Sequence, residues 1–428
     1  MPARRSATDV IADGDLVTAV AQQAEWMEDL LARLVAAPTV LGQEEEGQVI
    51  VADALREIGL SPLDVWMDHE ALRRSPVAAP FSWDVSDKRN VAAIWQGAGG
   101  GGRSLTLNGH VDVVPPAAES LWTSPPFEPV RHGEWLTGRG AGDMKAGLAA
   151  IFGAVRALHE LGLAPLGDLQ LQSVVEEECG GNGALQCLLS LPHTDAAVIA
   201  EPYPAAISVA QVGVLWFHVD IEGIPVHVGD AGEGVNAIDA AFRVVAGLRA
   251  LEVELNQDPP APFDVVPHPI NLNVGVIRGG DWPSTVPAAS SLSCRIALFP
   301  GQDVAALQRR VEAAVAASAA GDAWLERHPP RVRYDGFAGR GVEVPHDAPI
   351  VGALAAAHAA TTGGAPALVP TTATTDARAF VELGVPTVCY GPHAERIHGI
   401  DERVHLPSMT TTAQTLALLV RDWCGVTA

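Results

Sequence analysis

The spacing of apolar residues along the chain separates helical segments from segments that alternate as strands. Between residues 15 and 59 apolar positions recur at intervals of three and four, and Pro38 interrupts them, so two helices are expected. Residues 62–90 follow neither period and are expected to be irregular. Beyond them the pattern predicts strands at 90–95, 104–114, 168–175 and 196–201, and helices at 144–161 and 183–191.

This alternation of strands and helices indicates an α/β layer with a largely parallel sheet. A glycine cluster at 97–102 separates the first two strands and predicts a hairpin or a loop tip. After residue 201 the order of elements changes to strand, helix, strand, strand, helix, strand, at 212–221, 236–251, 270–277, 290–299, 304–319 and 331–334. That order is typical of a ferredoxin-like α+β unit.

The α/β pattern resumes near the carboxyl terminus, with helices at 349–361, 376–383 and 410–424 and a strand at 387–390. We therefore expect one α/β domain in two parts, residues 1–210 and 337–428. A second domain would be inserted between them at residues 211–336. The chain is long enough for this division, because a domain typically holds about 150 residues.

Composition and charge exclude several classes of protein. Hydrophobic residues make up 48% of the 428 residues and charged residues 18%, which excludes a disordered chain. The formal net charge is −24, so neither nucleic acid nor an anionic membrane is expected as a partner. No apolar stretch is long enough for a membrane helix, and residues 1–16 lack the apolar segment of a secretory signal. Five scattered cysteines argue against a disulfide framework, so a cytoplasmic protein is expected.

Polar residues of metal-binding or catalytic type follow the ends of several predicted strands. His110 and Asp112 lie two residues apart, so on a strand both side chains face the same side, although such a pair is often only hydrogen bonded. Asp143 follows a glycine-rich turn at the start of a predicted helix, where a helix N-cap is the common alternative. Ligands of doubly wound folds bind at the carboxyl ends of strands, so one cleft is expected to collect these residues.

A run of three glutamates, residues 176–178, follows another apolar strand. Three adjacent carboxylates cannot all ionise at low cost in a cleft without cations, so either a metal ion or a solvated acidic turn explains them. Glu201 follows a further strand, and His393 and His398 lie in a loop after the last strand. A mixed set of nitrogen and oxygen ligands suits Zn²⁺, Co²⁺ or Mn²⁺.

Taken in order, five segments resemble the metallo-aminoacylase and peptidase family: GHVDVVPP (109–116), GRGAGDMKAG (138–147), EEECGG (176–181), AEP (200–202) and HGIDE (398–402). This family includes acetylornithine deacetylase, succinyl-diaminopimelate desuccinylase, aminoacylase and carboxypeptidase G. The resemblance extends along nearly the whole chain. It implies a zinc-exopeptidase-like catalytic domain with a mostly parallel sheet, and an inserted ferredoxin-like domain that serves as lid and dimer interface.

The resemblance also implies a site for two divalent metal ions, with zinc expected first and cobalt or manganese as alternatives. The residues that match the metal ligands are His110, Asp143, Glu178, Glu201 and His398. Asp143 would bridge the two ions, and Asp112 would orient His110. Glu177 would be the general base, and Glu176 would replace it if the motif is displaced by one residue.

In the inserted domain the resemblance implies that His227 stabilises the oxyanion of the reaction, often across a dimer interface, so a homodimer is expected. The residues that match substrate contacts are Asn236, Arg295, Thr374, Thr375 and Arg378. Arg295 would bind a substrate carboxylate through a bidentate pair, the alternative being a strand charge that faces solvent. Ser284 stands where the family often has Asn, which points to a different subset of substrates.

The implied function is metal-dependent hydrolysis of the amide bond of an N-acyl amino acid or a related small N-acyl amine. The same metal site could instead cleave dipeptides, remove a formyl group or deaminate an arylamine. A thiol amidohydrolase that uses Cys179 is a weaker alternative, because neighbouring anions raise the pKa of that thiol. A non-catalytic binding protein of this fold should lack a ligand or the base, and none is missing from the sequence.

Overall fold

The computed structural model describes residues 10–428, and the expectation about a secretory signal falls largely on residues 1–9, outside this range. Within the described residues the helices are α1 (Asp13–Ala21), α2 (Ala24–Ala36), α3 (Glu45–Ile58), α4 (His69–Arg74), α5 (Ala146–Glu160), α6 (Asn182–Ser190), α7 (Ala237–Leu255), α8 (Val304–Ala317), α9 (Pro349–Thr362), α10 (Ala377–Glu382) and α11 (Leu406–Cys424). The strands are β1 (Leu63–Trp66), β2 (Arg89–Trp95), β3 (Leu105–His110), β4 (Val130–His132), β5 (Trp135–Thr137), β6 (Ala164–Pro165), β7 (Leu169–Val174), β8 (Ala197–Ile199), β9 (Ala206–Gln211), β10 (Gly213–Glu222), β11 (Leu272–Gly279), β12 (Ala289–Leu298), β13 (Arg331–Arg333), β14 (Ala338–Gly339), β15 (Val342–Glu343), β16 (Ala367–Thr371), β17 (Thr387–Cys389), β18 (Ala394–Glu395), β19 (Arg403–His405) and β20 (Val426–Thr427).

The larger sheet has the order β1-β2-β7-β3-β8-β17-β9-β15, with β16 beside β9. Its central strands β7, β3, β8 and β17 are parallel to one another, whereas β1, β2 and β15 pair antiparallel near the edges. The four central strands are buried along their whole length, as in parallel sheets that helices cover on both faces. The expected α/β architecture with a mostly parallel central sheet is therefore confirmed.

The second sheet is antiparallel, with the order β11-β12-β10-β13 and β14 beside β10. Together with α7 and α8 it gives the strand and helix order that the sequence predicts for a ferredoxin-like unit. It has its own hydrophobic core, in which Phe217, Leu248, Leu292 and Val311 are fully buried. Burial alternates along β10 and β12, so one face of this sheet packs on the core and the other face is open.

Two predictions near the amino terminus differ from the structure. The segment 15–59 contains three helices, because α1 and α2 separate at residues 22–23, where neither glycine nor proline marks the break. Residues 62–90 are not wholly irregular, since they contain β1 and α4. The helix α4 begins after Asp68, whose carboxylate accepts hydrogen bonds from the backbone N–H groups of Glu70 and Ala71.

The glycine cluster at 97–102 is a loop and not a hairpin, because β7 lies between β2 and β3 in the sheet. Its glycines permit close contact between backbones. A Cβ atom on Gly102 would lie 1.7 Å from the carbonyl oxygen of Cys424, and one on Gly97 would lie 2.3 Å from that of Leu166. Among the helices of residues 10–428, none combines the length and the apolar character that crossing a membrane requires.

Candidate metal centre and active site

The carboxyl ends of neighbouring parallel strands bring the candidate site residues to one edge of the larger sheet. His110 is the last residue of β3, the acidic run 176–178 follows β7, and Glu201 follows β8. Since β3 lies between β7 and β8, these side chains meet at one end of the sheet. His398 joins them from the segment between β18 and β19, and Asp143 joins them from the turn before α5.

Asp143 lies between the two imidazoles of the cluster. Its Oδ1 atom is 3.2 Å from His110 Nε2, and its Oδ2 atom is 3.3 Å from His398 Nε2. His398 Nε2 is also 3.1 Å from the carboxylate of Glu178, and His110 Nε2 is 3.8 Å from Glu201 Oε1. The structure thus brings together all five residues that match metal ligands. Asp143 is not a helix N-cap, because α5 begins only at Ala146.

The electrostatics of this cluster fit divalent cations. Burial raises the pKa of Glu201 well above its usual range, and the charge of Asp143 raises it further. Burial also opposes ionisation of Asp143, yet hydrogen bonds from His110 and His398 lower the pKa of this carboxyl. Buried carboxylates so close to one another are costly to ionise together unless cations compensate them. The nitrogen and oxygen donors are those of zinc and similar ions, so the residues present fit a metal centre.

Glu177 and Glu176 point into different surroundings. Glu177 lines the cavity, and its Oε2 atom is 4.0 Å from His110 Nε2. Glu176 is fully buried, lies 2.8 Å from Lys88 Nζ and accepts a hydrogen bond of 2.7 Å from Trp83 Nε1. Only Glu177 therefore has the position of a base that could reach a substrate. Burial raises the pKa of its carboxyl well above the usual range.

Asp112 contacts the site differently from the sequence-based expectation. The Nδ1 atom of His110 is 2.9 Å from the backbone carbonyl oxygen of Asp112 and 3.7 Å from its carboxylate. The carboxylate instead accepts the backbone N–H groups of Glu177 at 3.3 Å and Glu178 at 3.1 Å. Asp112 thus positions the imidazole through its main chain and the acidic turn through its side chain.

Glu402 is the last residue of the HGIDE motif, and its side chain contacts residues that are far away in the chain. Its fully buried carboxylate pairs with Arg139 Nη1 at 2.5 Å. It also accepts the backbone N–H groups of Gly140 at 3.1 Å and of Gly142 and Asp143 at 2.9 Å. Glu402 therefore fixes the glycine-rich turn that presents Asp143 to both imidazoles.

Asp376 is a further acidic residue near the cluster, and the sequence did not identify it as part of the site. It is buried, and neither of its carboxylate oxygens has a hydrogen-bond partner among the described residues. Burial raises the pKa of Asp376 to about 6, and its charge in turn raises the pKa of Glu177. The available signal was its place in TTDAR, between Thr375 and Arg378.

A cavity of about 760 Å³ lies between the acidic cluster and the open face of the second sheet. Of the expected substrate contacts, Arg295, Thr374 and Thr375 line it. Arg295 is half-buried, and its hydrogen bond in the described part of the chain goes to the carbonyl oxygen of Thr372 at 3.5 Å. Burial alone lowers the pKa of Arg295, as for a guanidinium without an anionic neighbour.

Three expected residues do not line this cavity. The guanidinium of Arg378 is buried and donates hydrogen bonds to the carbonyl oxygens of Val77 and Gly180, so it supports the fold and does not contact the cavity. Asn236 caps α7, where its side chain accepts two backbone N–H groups. His227 is exposed in the segment between β10 and α7 and accepts the backbone N–H of Gly229.

Cys179 lines the cavity, but its surroundings make it a poor nucleophile. The thiol is buried, and its Sγ atom lies 3.7 Å from the carbonyl oxygen of Glu176. Burial raises the pKa of Cys179 strongly, and the charges of Glu176 and Asp112 raise it further. Because the thiolate is the reactive form, these surroundings disfavour cysteine chemistry here.

Comparison with known proteins places the chain among metal-dependent hydrolases. Residues 106–422 match the model of peptidase family M20/M25/M40. An N-formyl-4-amino-5-aminomethyl-2-methylpyrimidine deformylase of Halalkalibacterium halodurans is 29% identical over 365 residues, which cover 80% of this chain and 84% of the relative. A succinyl-diaminopimelate desuccinylase of Methylobacterium sp. is 30% identical over 397 residues, 89% of this chain and 91% of the relative. The crystal structure of human carnosine dipeptidase 1 is 16% identical and superimposes with a TM-score of 0.78, covering 96% of this chain and 98% of that one.

Proposed function

Because the chain belongs to peptidase family M20/M25/M40, we propose that it hydrolyses the amide bond of a small N-acyl amino acid. The family membership confirms the broader reaction class, a metal-dependent hydrolase that acts on amide bonds. One observation carries the finer proposal. A cluster of imidazoles and carboxylates lies at one end of a cavity, and the opposite wall carries the half-buried Arg295.

We assign the expected ligands to two divalent ions, with zinc as the first candidate. His110 and Glu201 would hold one ion, Glu178 and His398 would hold the other, and Asp143 would contact both. Ions bound in this way lower the pKa of a water molecule and polarise the scissile carbonyl. The positions of Asp112 and Glu402 support the assignment, because outer contacts of this kind orient metal ligands.

Glu177 is the residue that moves the proton in this proposal. It would take a proton from the attacking water and deliver it to the departing amine nitrogen, which is general base and then general acid catalysis. Its place at the cavity wall and 4.0 Å from His110 Nε2 supports this role. Glu176 has no comparable access to the cavity, because its buried carboxylate pairs with Lys88 and accepts a hydrogen bond from Trp83.

Arg295 would bind the carboxylate of the substrate. A guanidinium forms two parallel hydrogen bonds to a carboxylate, which fixes both the position and the direction of the ligand. Thr374 and Thr375 line the same cavity and would form another part of the pocket. Removal of a formyl group is a second candidate, favoured by the similarity to the deformylase of Halalkalibacterium halodurans.

We further propose that residues 211–336 form a lid and dimerisation domain, inserted between the two catalytic parts at 1–210 and 337–428. His227 lies outside the cavity, so it can act there only after domain closure or from a partner copy. The strand β11 is an edge of its sheet, and Val276 and Ile277 on it are 41% and 50% exposed. An exposed apolar edge strand favours pairing with a second copy in a homodimer.

The dimer proposal is tested with Ile277→Lys, which places a charge on the edge strand. Light scattering during size-exclusion chromatography should show a dimer for the wild type and a larger monomer fraction for the variant. Lys in place of the exposed Leu189, on α6 of the other domain, is the matched control. A wild-type monomer at micromolar concentration would contradict the proposal.

A cytoplasmic location is part of the same proposal. All five cysteines are free and buried, which suits a compartment that keeps thiols reduced.

The test of the proposed function is release of a free amine from a panel of N-acetyl, N-formyl and N-succinyl amino acids, together with N-formyl amines that lack a carboxylate. The protein is loaded with Zn²⁺ or Co²⁺ and assayed before and after addition of a chelator. Chelator-sensitive cleavage of N-acyl amino acids supports the proposal. Cleavage confined to N-formyl amines without a carboxylate favours deformylation, and no cleavage of any amide by the metal-loaded protein contradicts both.

A further inference from the structure

The open face of the second sheet carries a row of three different side chains across adjacent strands. Asn273 on β11 pairs with Arg295 on β12, and Arg295 pairs with Trp216 on β10. All three side chains line the cavity, so an amide, a guanidinium and an indole face the acidic cluster side by side. Neighbouring strands are about 4.8 Å apart. When Arg295 binds one group of a ligand, the part of the ligand attached to that group therefore lies beside the indole of Trp216.

Two further aromatic side chains extend the indole into an aromatic wall, defined here as Trp83, Trp216 and Phe337. The rings of Trp216 and Phe337 have centroids 6.3 Å apart and are tilted by 58°, and the backbone N–H of Trp216 donates to the carbonyl oxygen of Phe337 at 2.7 Å. The indole N–H of Trp83 donates to the carboxylate of Glu176, which fixes this ring at the cavity.

The chain segments that carry the wall are joined directly. The backbone N–H of Gly336 donates to the carbonyl oxygen of Pro80 at 3.0 Å, and the hydroxyl of Ser82 lies 2.5 Å from a carboxylate oxygen of Asp335. The segment before Trp83 is therefore held against the segment before Phe337. The aromatic wall is a preformed part of the cavity and combines one residue of the second sheet, Trp216, with two residues of the chain segments outside the strands.

From this arrangement we infer that the amine half of the substrate is an aromatic amino acid, whose carboxylate binds Arg295 and whose ring packs against the aromatic wall. The inference rests on the proposed function and adds the substrate class to it. In an aromatic amino acid the ring is attached one carbon away from the carbon that bears the carboxylate. This spacing matches adjacent strand positions such as those of Arg295 and Trp216. Stacked or edge-on aromatic pairs favour a flat ring over an aliphatic ring of similar size.

The test compares N-acetyl-L-phenylalanine with N-acetyl-L-cyclohexylalanine, which differ in aromaticity at nearly equal size. For the metal-loaded wild type, kcat/KM should favour the aromatic substrate by about 3- to 10-fold. Trp216→Phe should keep this preference and Trp216→Leu should abolish it, with Trp83→Leu as a second variant in case Trp216→Leu does not fold. Trp66→Leu, at an exposed indole on β1, is the matched control and should retain the wild-type ratio.

Calorimetric binding of L-phenylalanine and L-cyclohexylalanine to the same metal-loaded protein separates the two proposals. If neither amide is cleaved but phenylalanine binds more tightly and Trp216→Leu removes the difference, the aromatic site stands and the proposed hydrolysis fails. If N-acetyl-alanine and both ring substrates are cleaved equally well, with no difference in binding, the proposed hydrolysis stands and the aromatic inference is overturned. Equal binding of both amino acids together with no cleavage overturns the inference as well.

Discussion

The two walls of the cavity are built in different ways. The wall with the cluster of imidazoles and carboxylates consists of strand ends and turns that are buried and hydrogen bonded from several sides, as the contacts of Glu402 and Asp112 show. The opposite wall is the open face of an antiparallel sheet, where Arg295 is half-buried and makes one long hydrogen bond to Thr372. In the proposed function the catalytic groups are thus held on a rigid wall, whereas the substrate would be recognised by side chains on the open face of a sheet.

The difference between the two walls is tested first at the acidic run of the first wall, residues 176–178, where the largest loss of activity is expected. Glu177→Gln is expected to lower kcat by about 10²- to 10⁴-fold, because it removes the proton acceptor. Glu176→Gln is the matched control and should affect kcat far less. It should lower the melting temperature instead, because it weakens a buried pair with Lys88. Steady-state kinetics and thermal unfolding measure both effects, and the reverse pattern would assign the base to Glu176.

On the opposite wall the expected effect is smaller and depends on the substrate. Arg295→Met should lower kcat/KM for N-acyl amino acids by about 10- to 150-fold, the value of a hydrogen bond to a charged group. The corresponding amides, which lack the carboxylate, should be hydrolysed at an unchanged rate. Arg309→Met, on the exposed side of α8, is the control. An equal loss for acids and amides would show that Arg295 does not bind the carboxylate.

The hydrogen bonds that hold the turn at Asp143 in the first wall are tested with Glu402→Gln. Outer contacts of metal ligands typically contribute about 10- to 100-fold to metal affinity, so competition with a chromogenic chelator should show a loss of that size. Glu395→Gln changes a carboxylate that pairs with Arg403 at the surface and should leave the metal affinity unchanged. An unaltered affinity in Glu402→Gln would mean that the turn at Asp143 does not need this contact.

The sequence allows the first wall to be predicted far better than the second. His110, Glu177 and Glu201 can be located because each lies at or just after the end of an apolar strand, and parallel strands bring their ends together. The contact of Glu402 with the turn at Asp143 joins residues 259 apart in the chain, so no local pattern indicates it. The structure brings the residues of the first wall together, and the roles assigned to them are proposals.

The second wall depends on strand register and on side-chain direction, which a single sequence does not determine. Trp83, Trp216 and Phe337 come from separate segments and meet only in the folded chain. Arg378 has the residue type of a substrate contact, but its guanidinium satisfies buried carbonyl groups instead. The short strand β1 and the helix α4 were missed because four to six residues give too weak a periodic signal.

The cluster at the edge of the larger sheet is proposed to be a two-metal centre, and metal stoichiometry tests this proposal directly. Elemental analysis of protein purified without chelator and dialysed against Zn²⁺ is expected to give about two ions per chain, as in two-metal hydrolases. The double variant His110→Ala/His398→Ala removes one proposed ligand from each ion and should bind far less metal while retaining the wild-type circular dichroism spectrum. A wild-type protein that takes up no divalent metal, or a double variant that keeps the full content, would contradict the two-metal proposal.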